Sequence, residues 1–277
     1  MSRYFLKPNV HVRLVIFWLL ICLLLGACAT VPITGRHQLL LVSEQEEMMM
    51  GARVYREILR REKLSRDPRY VNAVRRVGMR IASVSGRPDY RWEFLVIDND
   101  KEANAFCLPG GKVFVYTGMF PYTKDDNGLA TVISHEVGHA IARHGAERMT
   151  ADLLARLGSV GLSVALRNAS PIAIRSFEQA YGLGVMLGVL LPFSRQQELE
   201  ADHIGLILMA KAGYDPRGAL LLWQRLMNSN EPKPPVFLST HPSDEERIRR
   251  IKLLLPIALR YYYSSQYGGR YRYDGNR

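Results

Sequence analysis

Hydrophobic and polar positions along the chain switch between helical and extended periodicity. After an apolar run from Leu14 to Leu25, Ser43-Glu44-Gln45-Glu46 has the form of a capping box, and Met48, Ala52, Tyr55 and Leu59 follow at helical spacing. Met48-Met49-Met50 reads as core filler. Asp67-Pro68 opens a second helix with a stripe of Val71, Val74, Val77 and Ile81. From Tyr90 the period falls to two, with Trp92, Phe94 and Val96 alternating with Arg91, Glu93 and Leu95, which predicts a strand. Asn104 to Gly111 is turn-rich, and Lys112 to Thr117 predicts a second strand. Asp125, Asp126 and Asn127 can cap a helix whose buried stripe is Leu129, Ile133, Ala140 and Ile141.

Further helices are predicted downstream. The apolar run from Tyr181 to Leu191 is about half of what crosses a bilayer, so it reads as a buried or amphipathic helix. Ser194 and Gln197 cap a helix that Gly213 closes, and Asp215-Pro216 starts one carrying Ala219, Leu222, Trp223 and Leu226. Pro232, Pro234 and Pro235 make a stiff loop before a last helix, capped by Ser243 and Glu246 and lined by Ile248, Ile251 and Leu255. The expected fold is α+β and predominantly helical, with a small β-sheet beside the helix that follows Asp125.

That helix carries the chemistry. His135-Glu136-Val137-Gly138-His139 sets two imidazoles at i and i+4 on one face, because an α-helix turns about 100° per residue. Paired in this way they can grip one metal ion, and Glu136 between them is placed to take a proton from an attacking water. The bland alternative is an amphipathic helix that contains two His and a Glu by accident. A zinc hydrolase also needs a third protein ligand. Ala142 and Gly145 break one familiar spacing, and Ala155 to Leu162 holds no Glu for another. Within Phe193-Ser194-Arg195-Gln196-Gln197-Glu198-Leu199-Glu200-Ala201-Asp202, Glu198 and Asp202 share a helix face and Glu200 points nearly opposite. Glu198 is therefore the expected third ligand. Asp202 is the expected acceptor that orients a ligand imidazole, while Glu200 and His203 read as surface or packing residues.

Composition adds a compartment. At 277 residues and 48% hydrophobic content the chain can build a real core. Its net charge of +11 raises nucleic acid or an anionic membrane as partners, but the charge is dispersed, and Arg3, Lys7 and Arg13 lie in the basic start of the leader. Residues 1–27 read as a lipoprotein signal peptide, because Leu25-Gly26-Ala27-Cys28 resembles a lipobox whose Cys28 receives the lipid. Residues 28–42 then form a lipid-anchored tether, 43–256 the folded domain, and 257–277 a flexible tail rich in Tyr and Arg. With Cys22 in the leader and Cys28 acylated, Cys107 is left without an intramolecular partner, and nothing basic beside it suggests an activated thiolate.

The paired motifs, His-Glu-x-x-His and Phe193-Ser194-Arg195-x-x-Glu198-x-x-Ala201-Asp202, together resemble the HtpX and CAAX prenyl protease family of gluzincin zinc endopeptidases. Asn104-Ala105-Phe106, the Pro109-Gly110-Gly111 turn, Thr240-His241-Pro242 and Arg247-Ile248 add to the likeness, which spans roughly residues 44–255. The branch it resembles is that of the lipid-anchored envelope members related to BepA and the Oma-type peptidases. This resemblance implies a zincin-like metallopeptidase domain, one Zn2+ per chain, polypeptide substrates, and cleavage of misfolded or misassembled cell-envelope proteins. It also implies a periplasm-facing place on the bacterial envelope, with Ala29 after Cys28 favouring the outer membrane, and possible envelope assembly complexes as partners; nucleic acid is not expected. His241 is expected near the site, stabilising the oxyanion or latching the open metal position, or else merely fixing a turn. A rival from another class is a lipid-anchored periplasmic chaperone or assembly scaffold with a non-catalytic or latched metal site.

Overall fold

A computed structural model describes residues 27–165, 193–228, 236–241 and 245–266, together with residue 18; for 156–165 it describes the backbone alone. The leader up to residue 26 apart from residue 18, the apolar run 181–191, the Pro232 to Pro235 loop, the Ser243 cap and residues 267–277 lie outside that description.

Two antiparallel strands, β1 (Cys28–Thr30) and β2 (His37–Leu39), form a hairpin. Its turn holds Ile33 at φ 71° and Gly35 at φ 72°. The segment expected to be a tether is thus structured and docked: Gln38 Nε2 donates to Ala142 O at 2.8 Å, and the Leu41 amide donates to Thr150 Oγ1 at 2.9 Å. Strands of three residues are too short to display a period, so sequence patterning passes over them.

Helices α1 (Glu44–Arg61) and α2 (Pro68–Ser83) begin at the Ser43 capping box and at Asp67, whose side chain accepts from the Arg69 amide. Met49 and Met50 of α1 are exposed rather than core filler. A three-stranded sheet follows, of β3 (Glu93–Ile97), β4 (Ala105–Leu108) and β5 (Lys112–Tyr116) in the order β3-β5-β4. β3 runs parallel to β5, and β4 pairs antiparallel with β5 and forms one edge. β4 lies where a turn-rich segment is predicted; Gly110 and Gly111, both at φ 86°, supply the reversal that folds it back on β5. Val113 and Val115 face a large core with Val77 and Ile81 of α2, whereas Phe114 and Tyr116 face the other side, beside Tyr55 and Ile58 of α1.

A short helix α3 (Phe120–Thr123) leads into α4 (Asp126–Ile141), and α5 (His144–Ala165) follows after a break. Asp125 caps α4 by accepting from the Gly128 amide at 2.8 Å. From Gly128 to Ile141 every residue of α4 is buried, so this helix is enclosed on all sides. It crosses α6 (Arg195–Lys211) at small residues. A Cβ added at Gly138 would lie 3.0 Å from Ala201 O, and one at Gly205 would lie 3.0 Å from the His135 amide nitrogen. Glycine at these two points lets the backbones approach closely enough for side chains of α4 and α6 to meet.

Helices α7 (Gly218–Met227), α8 (Val236–Thr240) and α9 (Glu245–Gln266) close the other side. Helix α9 continues through Pro256 to Gln266, so residues 257–266 are helix and not part of a tail. Its buried stripe of Arg247, Ile251, Leu254 and Ala258 runs across the proline and holds the two halves to one packing face. Among the described residues, no helix is long and apolar enough to cross a membrane. The architecture is a predominantly helical α+β domain with its small sheet beside α4.

Candidate metal centre

His135 and His139 project from the C-terminal half of α4 toward α6, where Glu198 sits in the first turn, fixed by the Ser194–Gln197 capping box. His135 Nε2 and His139 Nε2 are 3.1 Å apart. Glu198 Oε2 is 3.4 Å from His135 Nε2, and its Oε1 is 3.4 Å from His139 Nε2. From the end of α8, His241 brings Nδ1 to 3.2 Å from His135 Nε2 and 3.0 Å from Glu198 Oε1. All four side chains are buried, and one donor atom from each lies within 4.8 Å of the others.

These residues suit a metal. Tetrahedral bonds of about 2.1 Å set donors about 3.4 Å apart, the spacing found between Glu198 and both imidazoles. His135 Nδ1 lies 3.0 Å from Asp202 Oδ1 and donates to it, which leaves the lone pair of Nε2 facing the other ring nitrogens. Converging lone pairs from three rings and a carboxylate repel unless a cation sits among them. Glu136 Oε1 is also buried without a hydrogen-bond partner, 3.3 Å from His241 Nε2.

Charges around the cluster pull its members in different directions: burial lowers His135, but the Asp202 and Glu198 carboxylates outweigh it and raise its pKa to about 9. Burial pushes the Glu198 carboxyl up, but the surrounding His135, His139 and His241 imidazoles outweigh it and hold it below the usual carboxylate range. Burial lowers His139 well below an ordinary imidazole, keeping it neutral. For Asp202, burial is opposed by Arg247 and His135, and the net shift is downward. Burial raises Glu136, and the positive fields of His241 and His135 only partly offset it. Cys107 is also raised, by burial and by the nearby Glu136 charge, so the thiol stays protonated.

The structure brings His135, Glu136, His139, Glu198, Asp202 and His241 to one place, whereas Cys28 is exposed at the start of the hairpin, outside the cluster. Four further residues join it. Arg247 grips Asp202 with Nε and Nη2, each at 2.7 Å, sets Nη1 2.7 Å from Glu198 Oε2, and lies flat over Trp223 with Cζ 3.8 Å from the ring centre. Its signal in sequence is phase: it shares the stripe of Ile251 and Leu254. His144 places Nδ1 2.8 Å from His139 Nδ1, and its Nε2 is 3.0 Å from Glu200 Oε2. Glu200, expected as a surface or packing residue, is buried because the β1–β2 hairpin covers that side of α6 and Arg36 bonds it at 2.7 Å. No local pattern points to Arg36.

The model for peptidase family M48 matches residues 68–254 of the chain. The chain is 41% identical over 233 residues to the mitochondrial metalloendopeptidase OMA1 of Schizosaccharomyces pombe, an alignment covering 82% of this chain and 66% of that protein. It is 34% identical over 249 residues to human OMA1, covering 83% of this chain and 46% of the relative. Against the β-barrel assembly-enhancing protease of Escherichia coli K12 the identity is 31% over 232 residues, covering 79% and 46%. The chain thus spans about two thirds of the first of these relatives and under half of the other two.

Proposed function

The chain belongs to peptidase family M48, and from that premise we propose that it is a zinc-dependent metalloendopeptidase in which His135, His139 and Glu198 hold the metal. The observation that carries this reading is the return of Glu198 from α6 onto both imidazoles of α4, 3.4 Å from each. Held by these three residues, Zn2+ would supply a Lewis acid for the scissile carbonyl and for the attacking water. Glu136 takes the proton of the attacking water and passes it to the leaving amine. Asp202, held by Arg247, keeps His135 in the tautomer that leaves Nε2 free.

Substrate is held in extended form along β4. Among the described residues no strand pairs with this edge strand on the side away from β5, and Cys107, within it, lies close enough to feel the Glu136 charge. Backbone pairing of that kind accepts many sequences, as cleavage of misfolded polypeptides requires.

The substrates we propose are misfolded or misassembled cell-envelope proteins, met at a membrane to which Cys28 is anchored by lipid, with envelope assembly complexes as partners. Support comes from the lipobox-like Leu25 to Cys28, from the exposure of Cys28, and from the E. coli relative named for β-barrel assembly. His241 acts as a latch: its Nδ1 lies among the metal-binding atoms, in the place a substrate carbonyl or water would take. Elemental analysis and a casein assay with and without chelator test the reading, which expects one zinc per chain and cleavage that stops when the metal is removed.

A further inference from the structure

His139 has a second nitrogen, and what it meets is unusual. Its Nδ1 faces another imidazole nitrogen, His144 Nδ1, at 2.8 Å, so one of the two must carry the hydrogen and the other must accept it. Glu200 decides which. Its Oε2 lies 3.0 Å from His144 Nε2, and a carboxylate can only accept there, so His144 Nε2 bears the hydrogen. In neutral His144 the Nδ1 lone pair then accepts from His139 Nδ1–H, which frees His139 Nε2 to face Glu198 and the metal position. The opposite arrangement would put a hydrogen on His139 Nε2 and block it as a ligand.

Glu200 is itself held as an anion. Thr34 Oγ1 donates to its Oε1, and Arg36 Nε donates to its Oε2 at 2.7 Å. Arg36 is fixed in turn by a two-pronged contact with Glu147, Nη1 to Oε1 at 2.6 Å and Nη2 to Oε2 at 2.9 Å, and Gln197 Nε2 donates to the same Glu147 at 2.7 Å. The break that aims His144 at His139 depends on Arg143, which takes φ 57° and is tied down through Nε to Glu47 Oε2 at 2.7 Å.

We propose that Thr34, Arg36, Glu200 and His144 form a positioning chain that sets the tautomer and orientation of His139, making the N-terminal hairpin a structural part of the metal centre. The chain mirrors the arrangement on the other imidazole, where Arg247 and Asp202 set His135. It rests on the reading of His139 as a metal ligand. Its consequence is that metal binding strengthens when the hairpin next to Cys28 is seated and weakens when it lifts.

The test uses the purified full chain and reads zinc affinity by competition with a chromophoric chelator, with the visible absorption of the Co2+ form as a second readout. Arg36→Gln and Glu200→Gln are expected to lose about 10- to 100-fold in zinc affinity and to shift the Co2+ bands. Arg36→Lys, which keeps a cation, should recover part of the loss. Arg76→Gln, which breaks an exposed ion pair with Asp126, should match wild type. Wild-type affinity and Co2+ spectra in folded Arg36→Gln and Glu200→Gln proteins overturn the chain while leaving the peptidase reading intact. If Arg36→Gln does not fold, Glu200→Gln against Arg36→Lys decides by the same readouts. A wild-type protein that binds no zinc removes both the chain and the reading beneath it.

Discussion

Gly205 packs so tightly on the backbone of His135 that a β carbon there would sit 3.0 Å from the His135 nitrogen and 3.0 Å from Ser134 C. This contact, rather than any feature of the metal-binding side chains, sets how closely α6 approaches α4, and therefore where Glu198 and Asp202 stand relative to the imidazoles. Gly205→Val is expected to destabilise the protein by about 1 to 3 kcal/mol through overpacking and to weaken zinc binding at the same time. Denaturant melts and chelator competition check both; a variant that loses stability with unchanged zinc affinity would disconnect the crossing from the site.

The α4 motif was legible in sequence because its ligands lie within one helical turn, and Glu198 with Asp202 because both fall on one face of α6. The same logic left Glu200 open as a surface or packing residue. A helical wheel places it opposite Glu198, and the hairpin with His144 at the start of α5, far away in sequence, turns that outer face into an interior one. The hairpin strands and β4 are too short to impose a period, and their pairing rests on turns at Gly35 and at Gly110-Gly111. Helix α9 outran the compositional boundary at Pro256 because packing of Leu254 and Ala258 outweighs the break in backbone hydrogen bonding.

Removing the latch separates two roles for His241. As a latch, His241→Ala should retain zinc and cleave casein several-fold faster than wild type, since its Nδ1 no longer competes for the metal-facing position. A fall in kcat with unchanged zinc content would assign the ring to oxyanion stabilisation instead.

Acid should act on stability through Glu200. Its folded pKa of about 2 lies below the ordinary value of 4.5, so its contribution is present above pH 4.5 and is lost as pH falls toward 2. In metal-free protein, wild type should exceed Glu200→Gln in urea midpoint at pH 7, and the gap should close between pH 4.5 and pH 2. A gap that stays constant with pH would mean the carboxylate is not held as an anion in the fold.

The central claim is that the three-ligand site works as a peptidase with Glu136 as its base, and one comparison tests it most directly: casein cleavage by zinc-loaded wild type and Glu136→Gln, each with its zinc content measured. The account predicts one zinc in both proteins, chelator-sensitive cleavage by wild type, and a rate at least about 10²-fold lower for Glu136→Gln. Equal cleavage by the two zinc-loaded proteins, or cleavage that persists once zinc is stripped, would contradict it.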